Sequence, residues 1–197
     1  MEKQRSIAIF DFDGTLTTKD TLLEFIKFAC GKRAFYIGFF LYSPLLILMK
    51  LGLYPNWKAK QKVFSWFFKG MPYITFAKYG EDFAEVIKTI IKETTIDILR
   101  KYQSEEADIY VMSASVEEWV RPFCIQLGVK DVIATKIETD SKGMLTGRFS
   151  SPNCYGEEKV RRFLEIEPSR SEYHLYAYGD SRGDKEIISF ADNGFYV

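Results

Sequence analysis

The sequence is short of the residues that cross-link chains or hold soft metals. Among 197 residues there are three cysteines, Cys30, Cys124 and Cys154. Their odd number and wide spacing exclude a disulfide framework and a zinc site. No sign of charge prevails, because 27 Lys and Arg balance 27 Asp and Glu. Phosphate-backbone binding needs a cationic excess, so nucleic acid is not an expected partner. The start lacks a signal-peptide core: Met1 to Ser6 is charged, and only Ile7 to Phe10 is apolar before Asp11. A reducing cytoplasm is the expected home.

Apolar material is plentiful, at 47 % of residues, so the chain can build a real core. Ile7-Ala8-Ile9-Phe10, Ile109-Tyr110-Val111-Met112 and Leu175-Tyr176-Ala177-Tyr178 are continuous apolar runs. Such runs suit strands buried on both faces of a parallel sheet. Val132 to Ala134 is a weaker fourth. Phe195 to Val197 begins a fifth at the chain end, as a truncated chain would. Each of the three strong runs stops at a polar residue: Asp11, Ser113, or Gly179-Asp180. Ligands of open α/β sheets bind beyond the carboxyl ends of the strands, so these residues can meet in one crevice.

Helices are expected between the strands. Ser115 to Glu118 and Thr21 to Glu24 both fit capping boxes, and Glu157 to Glu165 has core spacing. The stretch between the first two strong runs is too long for one crossover. It is rich in aromatic residues (Trp57, Phe64, Trp66, Phe67 and Phe68 among them) and reads as an inserted helical cap. The expected division is a core of 1–16 plus 105–197 and a cap of 17–104. Ser141-Lys142-Gly143 suits the turn of a small β-hairpin flap.

Asp11-x-Asp13 at the end of a buried strand can aim two carboxylates at one ligand. One can attack phosphorus, while the other protonates the leaving oxygen and then deprotonates water. Gly14 permits a turn whose following amides can meet phosphate oxygens. A plain polar turn is the alternative. Gly179-Asp180-Ser181-Arg182-Gly183-Asp184 offers hard oxygen ligands suited to magnesium, or a surface turn. Lys159 could neutralise both nucleophile and phosphate, although a lone lysine on a helix usually faces solvent. His174 precedes its strand and so lies at the wrong end of the sheet. Cys154 has no basic partner in sequence to activate it.

Asp11-Phe-Asp-Gly-Thr-Leu-Thr, Val111-Met-Ser113, Lys159 and Gly179-Asp180-x-x-x-Asp184 together resemble the four motifs of the haloacid dehalogenase (HAD) superfamily, in that family's order. The resemblance implies a Rossmann-like α/β core and a magnesium-dependent phosphatase of the phosphoserine-phosphatase-like branch, subfamily IB. Asp11 is then the nucleophile that becomes an aspartyl phosphate, and Asp13 the general acid and base. Gly14, Ser113 and Lys159 bind the phosphoryl group. Asp11, the Asp13 carbonyl and Asp180 hold magnesium, and Asp184 orients that shell. Asp13 argues against dehalogenation, because dehalogenases lack it.

Ala34 to Met49 carries no charge, contains Pro44, and is flanked by Lys32, Arg33, Lys50, Lys58, Lys60 and Lys62. It is shorter than the ~20 residues that span a bilayer, with Pro44 read as interrupting it. Two readings stay open: a pair of helices buried in the cap, or contact with an anionic membrane surface at the inner face. This segment and Cys154-Tyr-Gly-Glu-Glu-Lys159 are similar to the lipid-phosphate members of the branch, phosphatidylglycerophosphatase C among them. The expected substrate is therefore a phospholipid or other apolar phosphomonoester. The alternatives are a small soluble, phosphoserine-like phosphoester or phosphotransfer to an alcohol.

Overall fold

The first apolar run turns Ala8 and Phe10 to one side and Ile7 and Ile9 to the other, and all four are buried. A strand apolar on both faces belongs in the middle of a parallel sheet. A computed structural model, which describes residues 4–197, places it there. Met1 to Lys3, part of the charged opening segment, lie outside the described residues. Strand β1 (Arg5–Asp11) is flanked by β2 (Asp108–Val116) and β6 (Tyr173–Gly179). With β3 (Asp131–Thr135) and β7 (Asn193–Tyr196) the order is β3-β2-β1-β6-β7, every pair parallel. The order reverses at β1, which opens a crevice beyond its carboxyl end. The expected hairpin forms from β4 (Ile137–Thr139) and β5 (Leu145–Phe149).

Four helices fill the insertion after β1: α1 (Thr21–Lys50), α2 (Asn56–Phe68), α3 (Tyr73–Ile87) and α4 (Glu93–Ser104). The last lies against the sheet, where Tyr102 meets Phe10 edge to face and shares a hydroxyl hydrogen bond with Tyr178. α5 (Glu117–Gln126) covers the same face through Trp119, Val120 and Phe123. α6 (Glu157–Ile166) and α7 (Lys185–Phe190) cover the other through Phe163 and Ile187.

One aromatic cluster joins cap to core. Phe25 of α1 stacks on Trp119 of α5 with centroids 4.6 Å apart, and Phe68, Phe76 and Phe83 pack around it. The hairpin also docks on the cap. Leu145 N–H donates to the Met71 carbonyl at 2.9 Å, and Phe149 N–H donates to Gln61 Oε1 at 3.0 Å.

Three local expectations fail for physical reasons. Asp20, not Thr21, caps α1, with its side chain accepting from Leu23 N–H. Ser115 still belongs to β2, and α5 starts after Val116 without a side-chain cap. Pro44 does not interrupt α1. Proline lacks the N–H that would bond the carbonyl four residues back, and here the Ser43 hydroxyl donates to that Phe40 carbonyl at 2.8 Å instead. The departure from helical geometry comes at Gly31, whose φ of 81° suits a residue without a Cβ.

Candidate active site

Asp11 ends β1 and is buried. Lys159, on the first turn of α6, is also buried and donates to Asp11 Oδ1 at 2.6 Å, Asp184 Oδ1 at 2.5 Å and the Met112 carbonyl at 3.1 Å. All three ammonium protons are thereby used. Burial works against this ammonium, but Asp11 and Asp184 outweigh it and hold its pKa above the usual lysine range. Burial raises the Asp11 carboxyl, and Lys159 pulls it back. Breaking this buried pairing by removing one partner costs about 3–5 kcal/mol. The lysine is therefore structural as well as chemical.

Asp180, Asp184 and Asp11 place one carboxylate oxygen each within 4.8 Å of one another. Burial raises the Asp180 carboxyl, and the charges of Asp184 and Asp13 raise it further. Asp184 Oδ2 accepts from Ser181 N–H and Oγ–H at 3.0 and 2.8 Å, so its oxygens are held by Ser181 and Lys159. Gly14 has φ +83°, and a Cβ there would come within 2.1 Å of Asp180 Oδ2. The loop after β1 therefore presses directly on the carboxylate after β6. Five carboxylates, Asp11, Asp13, Asp20, Asp180 and Asp184, line one cavity with Lys159. The all-oxygen donor set and the excess negative charge fit a hard divalent cation such as magnesium.

Asp13 is held differently. Its Oδ1 accepts from Thr21 N–H at 2.7 Å and Thr21 Oγ1 at 2.6 Å, and its Oδ2 from Ser115 Oγ at 2.5 Å. Trp119 Nε1–H donates to Thr21 Oγ1 at 3.1 Å, linking Asp13 to the aromatic cluster. Thr21 and Ser115 were absent from the expected site. Ser115 lies two residues beyond Ser113, the strand period, which is the signal that could have found it. Ser113 is fully buried and does not line the cavity; its Oγ accepts from Ser115 N–H at 3.0 Å.

His174 bonds Asn193 across the start of β6, away from these groups. Cys154 is buried, and burial pushes its thiol up to about 11, so it is no nucleophile.

The cavity measures about 520 Å³, within the range of small-molecule sites. From the acids it continues along an apolar wall that includes Leu22, Ile26, Phe35, Phe39, Tyr42 and Leu46 of α1, with Val63 and Phe67 of α2. The opposite side of α1 is bare: Tyr36, Ile37, Phe40, Leu41 and Ile47 are exposed, Phe40 by 83 %. The buried-pair reading of Ala34 to Met49 does not hold, because only Phe35 and Gly38 of this half of α1 are buried. By length and composition α1 could cross a membrane. Its first turn, however, is anchored at Asp13 through Thr21, and its second half lies along α2.

The chain has known relatives. It is 30 % identical over 192 residues to the protein CicA of Caulobacter vibrioides, covering 96 % of this chain and 85 % of that one. It is 30 % identical over 205 residues to a probable phosphatase of Mycobacterium tuberculosis, covering 94 % and 66 %. Its fold matches a Bordetella pertussis protein of unknown function with a TM-score of 0.83 at 22 % identity, covering 96 % and 88 %. It matches a substrate-bound phosphoserine phosphatase with a TM-score of 0.68 at 18 % identity, covering 96 % and 84 %. The family model for haloacid dehalogenase-like hydrolases matches residues 8–188. With its strand-end carboxylates, buried lysine and parallel sheet all in place, the chain belongs to the haloacid dehalogenase-like hydrolase family.

Proposed function

We propose that this hydrolase is a magnesium-dependent phosphatase acting on a lipid or otherwise apolar phosphomonoester through an aspartyl phosphate. One observation carries the substrate class: the cavity that holds the acids runs on along an apolar wall built from α1 and α2. A small zwitterion such as phosphoserine would leave that wall unfilled.

In this reading the core, 1–16 plus 105–197, carries the chemistry, and the cap, 17–104, selects the substrate. Asp11 attacks phosphorus as the bond to the leaving oxygen breaks, and Asp13 gives that oxygen a proton. Asp13 then takes a proton from the water that attacks the aspartyl phosphate, which releases inorganic phosphate and restores Asp11. Thr21 and Ser115 aim Asp13 for both steps. Lys159 and the amides after Gly14 stabilise the charge on the phosphoryl oxygens, while Ser113, expected beside them, sits behind the cavity wall against Ser115. Asp11, the Asp13 carbonyl and Asp180 would hold magnesium, with Asp184 fixing Lys159. The cation would add positive charge beside those oxygens.

The bare apolar side of α1, rimmed by Lys32, Arg33 and Lys50, suits a monolayer with anionic head groups. The protein then works at the inner face of the cytoplasmic membrane. The relative named a probable phosphatase supports the reaction class.

The test compares magnesium-dependent phosphate release from phosphatidylglycerophosphate in mixed micelles with release from phosphoserine in buffer. Asp11→Asn is the blank for both. A preference for the micellar lipid is expected. A preference for phosphoserine would overturn the lipid reading and keep the phosphatase. Release that glycerol diverts into a phosphorylated product would mark a phosphotransferase.

A further inference from the structure

Helix α2 lines the cavity with one face, at Asn56, Lys60, Val63 and Phe67. Spacings of four, three and four residues place these side chains in one row. The row is polar at its start and apolar at its end. The polar half is unexplained by the chemistry above. Lys60 is half-buried and makes no ion pair or hydrogen bond among the described residues, unlike the buried Lys159. Asn56 Oδ1 is shielded from solvent and has no hydrogen-bond partner. A shielded amide oxygen without a partner is unfavourable, so a ligand that supplies a donor is favoured on binding.

Lys60 also lies within electrostatic reach of Asp20, which in turn feels Asp13. Lys60 thus lines the same cavity as the acids and offsets part of the charge of Asp20, without a direct ion pair. The loop of five residues between α1 and α2 brings Lys50, another cavity-lining cation, back toward Asn56. The scissile phosphate already has Lys159. A second set of cationic and amide groups in the same cavity fits a second polar group on the same substrate.

We infer that Asn56 and Lys60 form a second polar subsite, which selects phosphomonoesters carrying a further anionic group in addition to an apolar tail. This rests on the lipid-phosphatase reading above and narrows it. Lys60 pairs with the added anion, and Asn56 Oδ1 accepts a hydrogen bond from a neighbouring hydroxyl. A substrate whose only charge is the scissile phosphate leaves both groups unanswered.

The experiment uses two lipids of equal chain length in mixed micelles, with the full chain. Dioctanoyl phosphatidic acid has one phosphate, the scissile one. Dioctanoyl phosphatidylglycerophosphate adds a phosphodiester and a hydroxyl. The wild-type protein is expected to favour the second in kcat/KM. Lys60→Gln should lower that ratio about tenfold, the effect of losing one charged hydrogen bond, chiefly through KM. Lys60→Arg should restore most of it. A ratio unchanged by Lys60→Gln, with both lipids still hydrolysed ahead of phosphoserine, overturns the subsite and leaves the lipid reading standing. Phosphoserine hydrolysed ahead of both lipids overturns the two together. Binding of each lipid to Asp11→Asn, with and without Lys60→Gln, gives the same comparison without turnover.

Discussion

The two walls of the cavity are built on opposite principles. On the core side polar groups are buried and tied down: Lys159 uses every proton, and both oxygens of Asp13 and of Asp184 are occupied. On the cap side α1 leaves large apolar side chains in the open, and Asn56 Oδ1 of α2 has no hydrogen-bond partner. The first arrangement holds the reacting groups in one geometry, as phosphoryl transfer requires. The second is unfinished as protein and is completed by whatever binds. The chemistry is therefore built into the fold, while the substrate choice depends on groups that the fold itself does not satisfy.

The sharpest break in this contrast comes on the core side. Asp11→Asn should abolish phosphate release, by at least about 10⁴-fold for a lost nucleophile, with the circular dichroism spectrum retained. Lys159→Met strands two buried carboxylates. It should remove activity and lower stability by about 3–5 kcal/mol in urea unfolding, which a substitution on the exposed face of the cap should not approach. Ser115→Ala releases one side of Asp13 and should lower kcat about tenfold, with KM little changed. An equal loss through KM would mean that Ser115 serves binding instead.

Magnesium sharpens the same contrast without any substitution. Added to the wild-type protein it should raise the melting temperature, as expected of a cation held by carboxylates that only the folded chain brings together. Asp180→Asn should blunt that rise, whereas the cap variant Phe40→Asp should keep it. Phe40→Asp should also leave urea stability within about 0.5 kcal/mol while reducing sedimentation with anionic vesicles. Unchanged sedimentation would remove α1 from membrane contact.

The smallest effect lies at the far end of the sheet. Arg5 hydrogen-bonds Glu167 at 2.7 Å and holds its carboxyl down to about 2, with Tyr110 as a further donor. The folded value lies below the ordinary 4.5. This stabilisation is therefore present above pH 4.5 and is lost as the pH falls toward 2. Glu167→Gln should flatten acid unfolding in that window and leave kcat unchanged.

The strands were legible because a run apolar on both faces has few homes other than a parallel sheet. Asp11, Asp13, Asp180 and Asp184 were legible because strand ends and glycine loops bring such residues together, whereas Lys159, on a helix, was legible only through the joint pattern of the four motifs. Thr21 and Ser115 were hidden by chemistry they share with helix caps: a short hydroxyl side chain near a helix start can bond either a backbone N–H or a carboxylate. Only the third dimension shows that Asp13 is the partner. Pro44 misled for a similar reason, since the Ser43 hydroxyl that replaces the missing bond is an ordinary residue in sequence. The exposure of α1 was not readable, because an apolar run carries no record of what covers it.

The close approach of Gly14 to Asp180 has a consequence for how this protein can vary. The two positions are 166 residues apart in the chain, yet the space between them is less than one methyl group. A mutation at Gly14 would be felt first at Asp180, before any substrate arrived. The two loops can therefore drift only in concert, and Gly80 of α3 sets the same limit between cap and core, since a Cβ there would come within 2.1 Å of the Glu118 carbonyl oxygen.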